Sequence, residues 1–350
     1  MAVNKFGAQV DGRFSPEIGQ YFYWVDSNFR TAAQGWSRAD GTGPLDLWQA
    51  REPGGDTRVY YTPETGNQGT TYASQVASFN AARDAMIDFR GDTLFVTPGA
   101  YTIAAASTWD VPYATIRGPI TKAPYYGCSP KVRQASITCG VATTGTLLLG
   151  ADADGLEVAH LRFIPTSAAP CFTVNAVAQN MHFHDFMWDC VGITADAGTE
   201  FMDVITTNDG IEYGLFEHFT WLVDSAVGPV FNIDVAQHFV TISHFLNINA
   251  ETTGTYVTSL MDFSADGVDG IVITDGLGMV SNAGTSAVTQ LTNGAAQTGT
   301  DVILIAKFYG GVNYSSGATA LIAGTASDAN LLNCYLGSVE GGAGGVLYTS

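Results

Sequence analysis

Six histidines, His160, His182, His184, His218, His238 and His244, fall within 85 residues of a 350-residue chain. His182 and His184 alternate in HFHDF, so in a strand both side chains point the same way. When HFHDF, EYGLF and TISHF are aligned, Glu212 falls beside His182, and two histidines with one carboxylate are a transition-metal set. Polysaccharide hydrolysis instead needs two carboxylates about 5–10 Å apart, one of them with a raised pKa. The same alignment gives two outward columns: His182, Glu212, Thr241, Val272, Ile303, and His184, Gly214, Ser243, Thr274, Ile305. Neither column sets two carboxylates side by side. Asp185, Asp189, Glu217 and Asp224 remain as acids, each equally suited to a turn or an edge. Lyase chemistry would want an acidic calcium cluster plus a catalytic Arg or Lys, and past Arg162 only Lys307 is basic. There is no GxSxG, no GxxxxGK and no paired Cys–His arrangement. No residue is therefore assigned a catalytic, cofactor-binding or metal-holding role, and no cofactor is expected. The histidines are read as strand-surface or interface residues, and an active site between chains stays open.

The elements that would position these groups repeat. From Leu147 to Glu340 the chain writes one pattern seven times: a short apolar strand, a polar turn, then a longer strand. Examples are CFTVNAVAQNMHFHDF, FMDVITTNDGIEYGLF, VFNIDVAQHFVTISHF and LMDFSADGVDGIVITDG. With Phe183, Tyr213, Ile242, Ile273, Leu304 and Asn333 taken as equivalent, the period stays near thirty residues. Such a period marks a solenoid whose units bury their apolar faces against their neighbours. Val, Ile, Phe, Thr and Tyr alternate between Asn, Asp and Gly turns, which is strand chemistry. The expected fold is all-β, a right-handed parallel β-helix with Phe183, Tyr213, Ile242, Ile273 and Leu304 stacked inside.

Upstream the pattern differs. Residues 1–72 carry many aromatics with little periodicity, among them Trp24, Trp36, Trp48, Tyr60 and Tyr61. Such content suits an irregular arm that becomes ordered against another surface, because aromatics dominate contact energy. Within a second unit, 73–350, Val76, Phe79, Arg83, Met86 and Ile87 predict a capping helix at about 74–90, with Ser74 as N-cap and Gly91 as stop. Cys128, Cys139, Cys171, Cys190 and Cys334 are odd in number and irregularly spaced, which favours free buried thiols.

The opening FGAQVDG (Phe6–Gly12), the helix, the strand ending in PGAY (Pro98–Tyr101) and TIRGP (Thr115–Pro119) resemble the start of pectate-lyase-type β-helices. Phage tailspikes and related polysaccharide-active proteins often begin this way. In that family the helix follows the first motif within roughly ten residues, whereas here some sixty intervene, so the aromatic segment reads as an insertion. The resemblance implies the fold and says little about activity.

Charge narrows the partners. The formal net charge is −19. Residues 1–162 hold 15 acids against 13 bases, and residues 163–350 hold 18 acids against Lys307 alone. A solenoid that acidic disfavours nucleic acid and anionic membranes as ligands. No apolar run approaches the ~20 residues of a membrane span, and MAVNKFGAQVDG lacks the apolar core of a secretory signal. The chain ends at GGAGGVLYTS, without an added trimerisation domain. These features together suggest a non-enzymatic virion protein, assembled in the host cytoplasm. It would be a β-helix decoration, cement or spike component gripping a capsid or tail protein through its arm. The alternative is a tailspike that binds or depolymerises host surface polysaccharide. Exposed apolar residues at the C-terminal end of the outward column further suggest a homotrimer.

Overall fold

Each repeat places apolar residues at alternate strand positions, and each strand pairs with the same strand of the next repeat, always in parallel. The result in the computed structural model is a right-handed parallel β-helix. It describes strands at 22–25, 47–51 and 57–61, most of 79–311, and strands at 329–332 and 335–337. The longer stretches left aside within 79–311 are 119–134, 250–256, 281–287 and 295–302.

A typical coil has three faces. The first face runs through Thr115–Arg117, Glu157–Ala159, His182–His184 and the first half of Leu215–Val223. The second runs through Ala135–Cys139, Arg162–Pro165, Met187–Cys190 and the second half of Leu215–Val223. The third is a separate seven-stranded sheet, including Leu147–Leu149, Phe172–Val174, Met202–Val204 and Phe231–Ile233.

On the first face, Ile116, Val158, Phe183, Phe216, Ile242, Ile273 and Ile305 form one interior column, each at most 1% exposed. This corrects the sequence register at two places. Phe216, not Tyr213, pairs with Phe183 and Ile242, and Tyr213 is half exposed in a turn. Ile305, not Leu304, continues the column, and Leu304 faces outward while Ile303 is buried. Phe183, Ile242 and Ile273 stand inside as expected. Where Val272 and Ile303 were read as one sticky outer patch, the outward pair is Val272 and Leu304. Asn333 lies outside the described residues.

The core is dense in aromatics at mid-length. Phe186, Phe219 and Phe245 stack coil upon coil at 4.8 and 5.5 Å, and Trp188 stacks on Trp221 at 6.0 Å. Burying each such ring contributes roughly 1.5–3 kcal/mol. Cys139, Cys171 and Cys190 are free and buried, as the sequence implies, and Cys334 is partly buried with its thiol 3.5 Å from the Ile305 carbonyl oxygen. Cys128 lies outside the described residues.

At the N-terminal end, Phe22–Val25 pairs in parallel with Thr93–Val96, so this part of the 1–72 segment extends the solenoid sheet. Leu47–Arg51 and Thr57–Tyr61 pair with each other as an antiparallel hairpin. Of the expected capping helix, Phe79 and Arg83 are described and helical. Phe79 is buried edge-on against Tyr101 at 6.3 Å, and Gly91 follows with φ +74°, the left-handed geometry of a helix stop. Ser74, Val76, Met86 and Ile87 lie outside the described residues. Among the described residues no helix is long and apolar enough to cross a membrane.

Candidate functional site

The outer side of the first face carries two columns of alternating side chains, and a third stands at its corner with the second face. Glu157, His182, Leu215, Thr241, Val272 and Leu304 are equivalent. Two residues on, Ala159, His184, Glu217, Ser243, Thr274 and Ala306 are equivalent. The next residue of each coil bends the chain from the first face to the second. Along this corner His160, Asp185, His218, His244, Asp275 and Lys307 all have φ between 50° and 56°. That left-handed conformation costs an L-residue roughly 1–2 kcal/mol. Every one of the six side chains is ionisable.

Five of the six histidines thus gather on one strip; His238 lies apart, beside Asp209 at 3.5 Å. Glu217, rather than the expected Glu212, supplies the neighbouring carboxylate: His182 Nε2 lies 3.0 Å from its Oε1 and His218 Nδ1 3.6 Å from its Oε2. Glu212 instead accepts a hydrogen bond from Gln179 Nε2 at 2.8 Å. His184 sits between two acids, with Nδ1 2.8 Å from Asp185 Oδ2 and Nε2 3.1 Å from Glu157 Oε1. Burial alone would lower its pKa, but the bonds to Asp185 and Glu157 outweigh burial and raise it to about 9. Glu157 is correspondingly held below the usual carboxylate range, chiefly by its bond to His184. His160, desolvated and only partly compensated by Asp185, falls to about 4 and stays neutral. Further along, His218 and His244 stack at 4.7 Å, and Lys307 reaches Asp275 at 3.4 Å.

Beside this strip runs a second left-handed row, two residues before the first outward column. It comprises Tyr113, Gly155, Asn180, Tyr213, Phe239 and Gly270, all with φ between 56° and 67°. Tyr113, Tyr213 and Phe239 are each just over half exposed, and Tyr213 and Phe239 stack with planes 3° apart at 5.4 Å. The glycines make room for them. A Cβ at Gly155 would come within 2.5 Å of the Tyr113 ring, and one at Gly270 within 2.9 Å of the Phe239 ring. The Tyr113 and Phe239 rings therefore lean over the glycine of the next coil while staying more than half exposed.

The remaining acid candidates divide. Asp189 is buried and takes both Arg162 Nε and Nη2, at 2.9 and 2.6 Å, which ties two coils together. Asp224 accepts from the Gly192 backbone N–H at 2.9 Å. Both are structural. A carboxylate pair absent from the sequence reading stands on the third face, where Asn232 Nδ2 donates to Asp203 at 2.9 Å and to Asp234 at 3.3 Å. The aligned strands FMDV, VFNI and LMDF carried that signal, since they stack Asp203, Asn232 and Asp262. Burial raises Asp203 to about 6; its bond from Asn232 opposes this and the Asp234 charge adds to it.

A raised folded-state pKa means that this acid favours the folded chain below the unfolded value of 3.8. The advantage is lost as pH rises through about 6. Asp203→Asn keeps the acceptor for Asn232 and removes the titration. It is expected to melt like the parent at pH 4 and to be more stable by about 2 kcal/mol at pH 7.5, allowing for partial solvent screening. Parallel pH profiles of melting temperature for the two proteins would refute this.

No family model and no curated protein matches the chain. Among solved structures it is similar to an alginate lyase from Paenibacillus sp. str. FPU-7, at 14% identity and TM-score 0.48, covering 74% of this chain and 93% of that one. It is also similar to an endo-xylogalacturonan hydrolase from Aspergillus tubingensis, at 11% identity and TM-score 0.38, covering 80% and 93%. The catalytic domain of a GH87 α-1,3-glucanase in complex with nigerose gives 12% identity and TM-score 0.40, covering 79% and 56%. These are distant likenesses of form and assign nothing to single residues. The chain is a parallel β-helix, as its own coils display.

Proposed function

We propose that this β-helix engages an extended glycan along its first face, as a component of a phage spike or decoration. The observation that carries the reading is the pair of rows just described. Half-exposed aromatic rings lie beside a strip of paired acids and histidines. The C–H face of a sugar ring packs on an aromatic face while its hydroxyls take hydrogen bonds from the polar strip. Stacked coils repeat the polar groups every ~4.8 Å, and Tyr213 and Phe239 occupy two adjacent coils beside them, a spacing suited to a linear polymer. Binding without cleavage fits this face, because Glu157 is held as a carboxylate, chiefly by its bond to His184. The aromatic content of residues 1–72, and the insertion they form between FGAQVDG and the helix, support attachment to a particle through this segment. The outward Val272 and Leu304 support packing as a homotrimer.

The test uses host capsular polysaccharide or lipopolysaccharide. The full chain should bind it, and Tyr213→Ala with Phe239→Ala should weaken binding about 10–100-fold, since each lost stacking contact is worth roughly 1 kcal/mol or more. No new reducing ends should appear. Reducing ends that vanish in Asp203→Asn would replace the binding reading with hydrolysis at Asp203 and Asp234. Binding that ignores the aromatic substitutions would remove the first face from the account. A chain lacking residues 1–72 that still attaches to particles would place the anchor elsewhere.

A further inference from the structure

We propose that His160, His184 and Asp185 bind a divalent transition-metal ion, with zinc-like preference for imidazole and carboxylate, at the corner between the first and second faces. This goes beyond the glycan reading and does not depend on it. One ligand atom from each of the three residues lies within 4.8 Å of the others. A tetrahedral ion with bonds of 2.0–2.1 Å needs its ligand atoms about 3.4 Å apart. His184 Nδ1 and His160 Nε2 stand 2.8 and 3.9 Å from Asp185 Oδ2, one shorter and one longer than that edge. Small side-chain rotations suffice to centre an ion.

Two further features point to a cation here. Asp185 Oδ1, the oxygen beside the Oδ2 that faces both histidines, is buried and has no hydrogen-bond partner; that state is costly for a carboxylate oxygen, and an ion shared by both oxygens relieves it. Glu157 Oε1 accepts from His184 Nε2 at 3.1 Å, which turns the other ring nitrogen toward Asp185 and His160. A carboxylate behind the histidine is the usual outer support of such sites. The backbone is already fixed: the His160 N–H donates to His184 C=O, and the Asp185 N–H donates to Glu217 C=O at 3.2 Å. The ion takes the place of the proton that His184 shares with Asp185. Three protein ligands leave a fourth position for water or a glycan oxygen. The neighbouring set, Glu217, His218 and His244, also converges. There, however, Glu217 is shared with His182, and His244 Nδ1 lies 3.2 Å from the Ser243 hydroxyl.

The test is titration of the full chain with zinc chloride, read by calorimetry, alongside cobalt(II) read by its visible absorption. The parent should bind one equivalent and show the intense band of four-coordinate cobalt. His160→Asn and Asp185→Asn, whose new residue tolerates the left-handed backbone, should weaken zinc at least tenfold and lose the band. Glu157→Gln should weaken it about tenfold, and His218→Asn should leave it unchanged. Zinc should raise the melting temperature of the parent and not of His160→Asn. Absence of saturable binding or of the cobalt band in the parent, which needs no variant, overturns the proposal. So does undiminished binding in His160→Asn, or loss confined to His218→Asn, which would move the ion to the neighbouring set.

Discussion

Ile303→Lys is expected to unfold the C-terminal coils, while Leu304→Lys, one residue further on, should leave those coils folded. Ile303 is 1% exposed and pairs with the fully buried Ile271. An ammonium there has no partner and costs several kcal/mol, a large share of a domain's net stability. Leu304 points outward beside Val272, where a lysine reaches water. The same pair of proteins tests association. If Val272 and Leu304 cover one another around a three-fold axis, light scattering should return a trimer for the parent and a monomer for Leu304→Lys. Equal damage from both substitutions would undo the register, and a single-chain mass for the parent would undo the trimer.

Asp189→Ala should cost about 3–5 kcal/mol, the range for breaking a buried ion pair from one side. The Asp189 side chain is 3% exposed and that of Arg162 22%. Removal strands the guanidinium, and the Val191 N–H loses its acceptor as well. The double change Arg162→Met with Asp189→Leu should recover most of the loss, because well-packed apolar residues replace such pairs at little cost. Denaturant midpoints of the three variants measure this. A loss under 1 kcal/mol in the single variant would show that the pair contributes little.

The repeat, the strand chemistry and the inward Phe183, Ile242 and Ile273 were legible in the sequence, because burial imposes alternation on every coil. Register was not legible throughout. A constant period of thirty pointed to Tyr213, but the partner of Phe183 is Phe216, and Phe216 is followed by Ile242 only 26 positions later. Turns lie outside the core, so their length drifts freely while strand pairing alone sets equivalence. In DVILIAKF, Ile303, Leu304 and Ile305 are all apolar, and composition cannot say which one faces water. The same slip hid the site. Glu217 entered only as an edge acid because Gly214 occupied its place beside His184 in the alignment. The two left-handed rows depend on φ, which no pattern of hydrophobicity reports. His184 and Asp185 were visible as HD, but His160 joins them only through coil stacking.

The left-handed corner has an evolutionary side. A backbone that demands positive φ at one position per coil filters the residues allowed there. Asn, Asp, His and Gly pass most easily, and in this chain the filter has passed three histidines, two aspartates and a lysine. Conformation therefore supplies a row of functional groups at fixed pitch before any selection for chemistry. Exchanging one such residue for another leaves the fold untouched, so new ligand sets can be sampled along the corner by single codon changes. A solenoid with this bend carries a keyboard of sites whose keys can be retuned separately, and lengthening it by one coil adds another key.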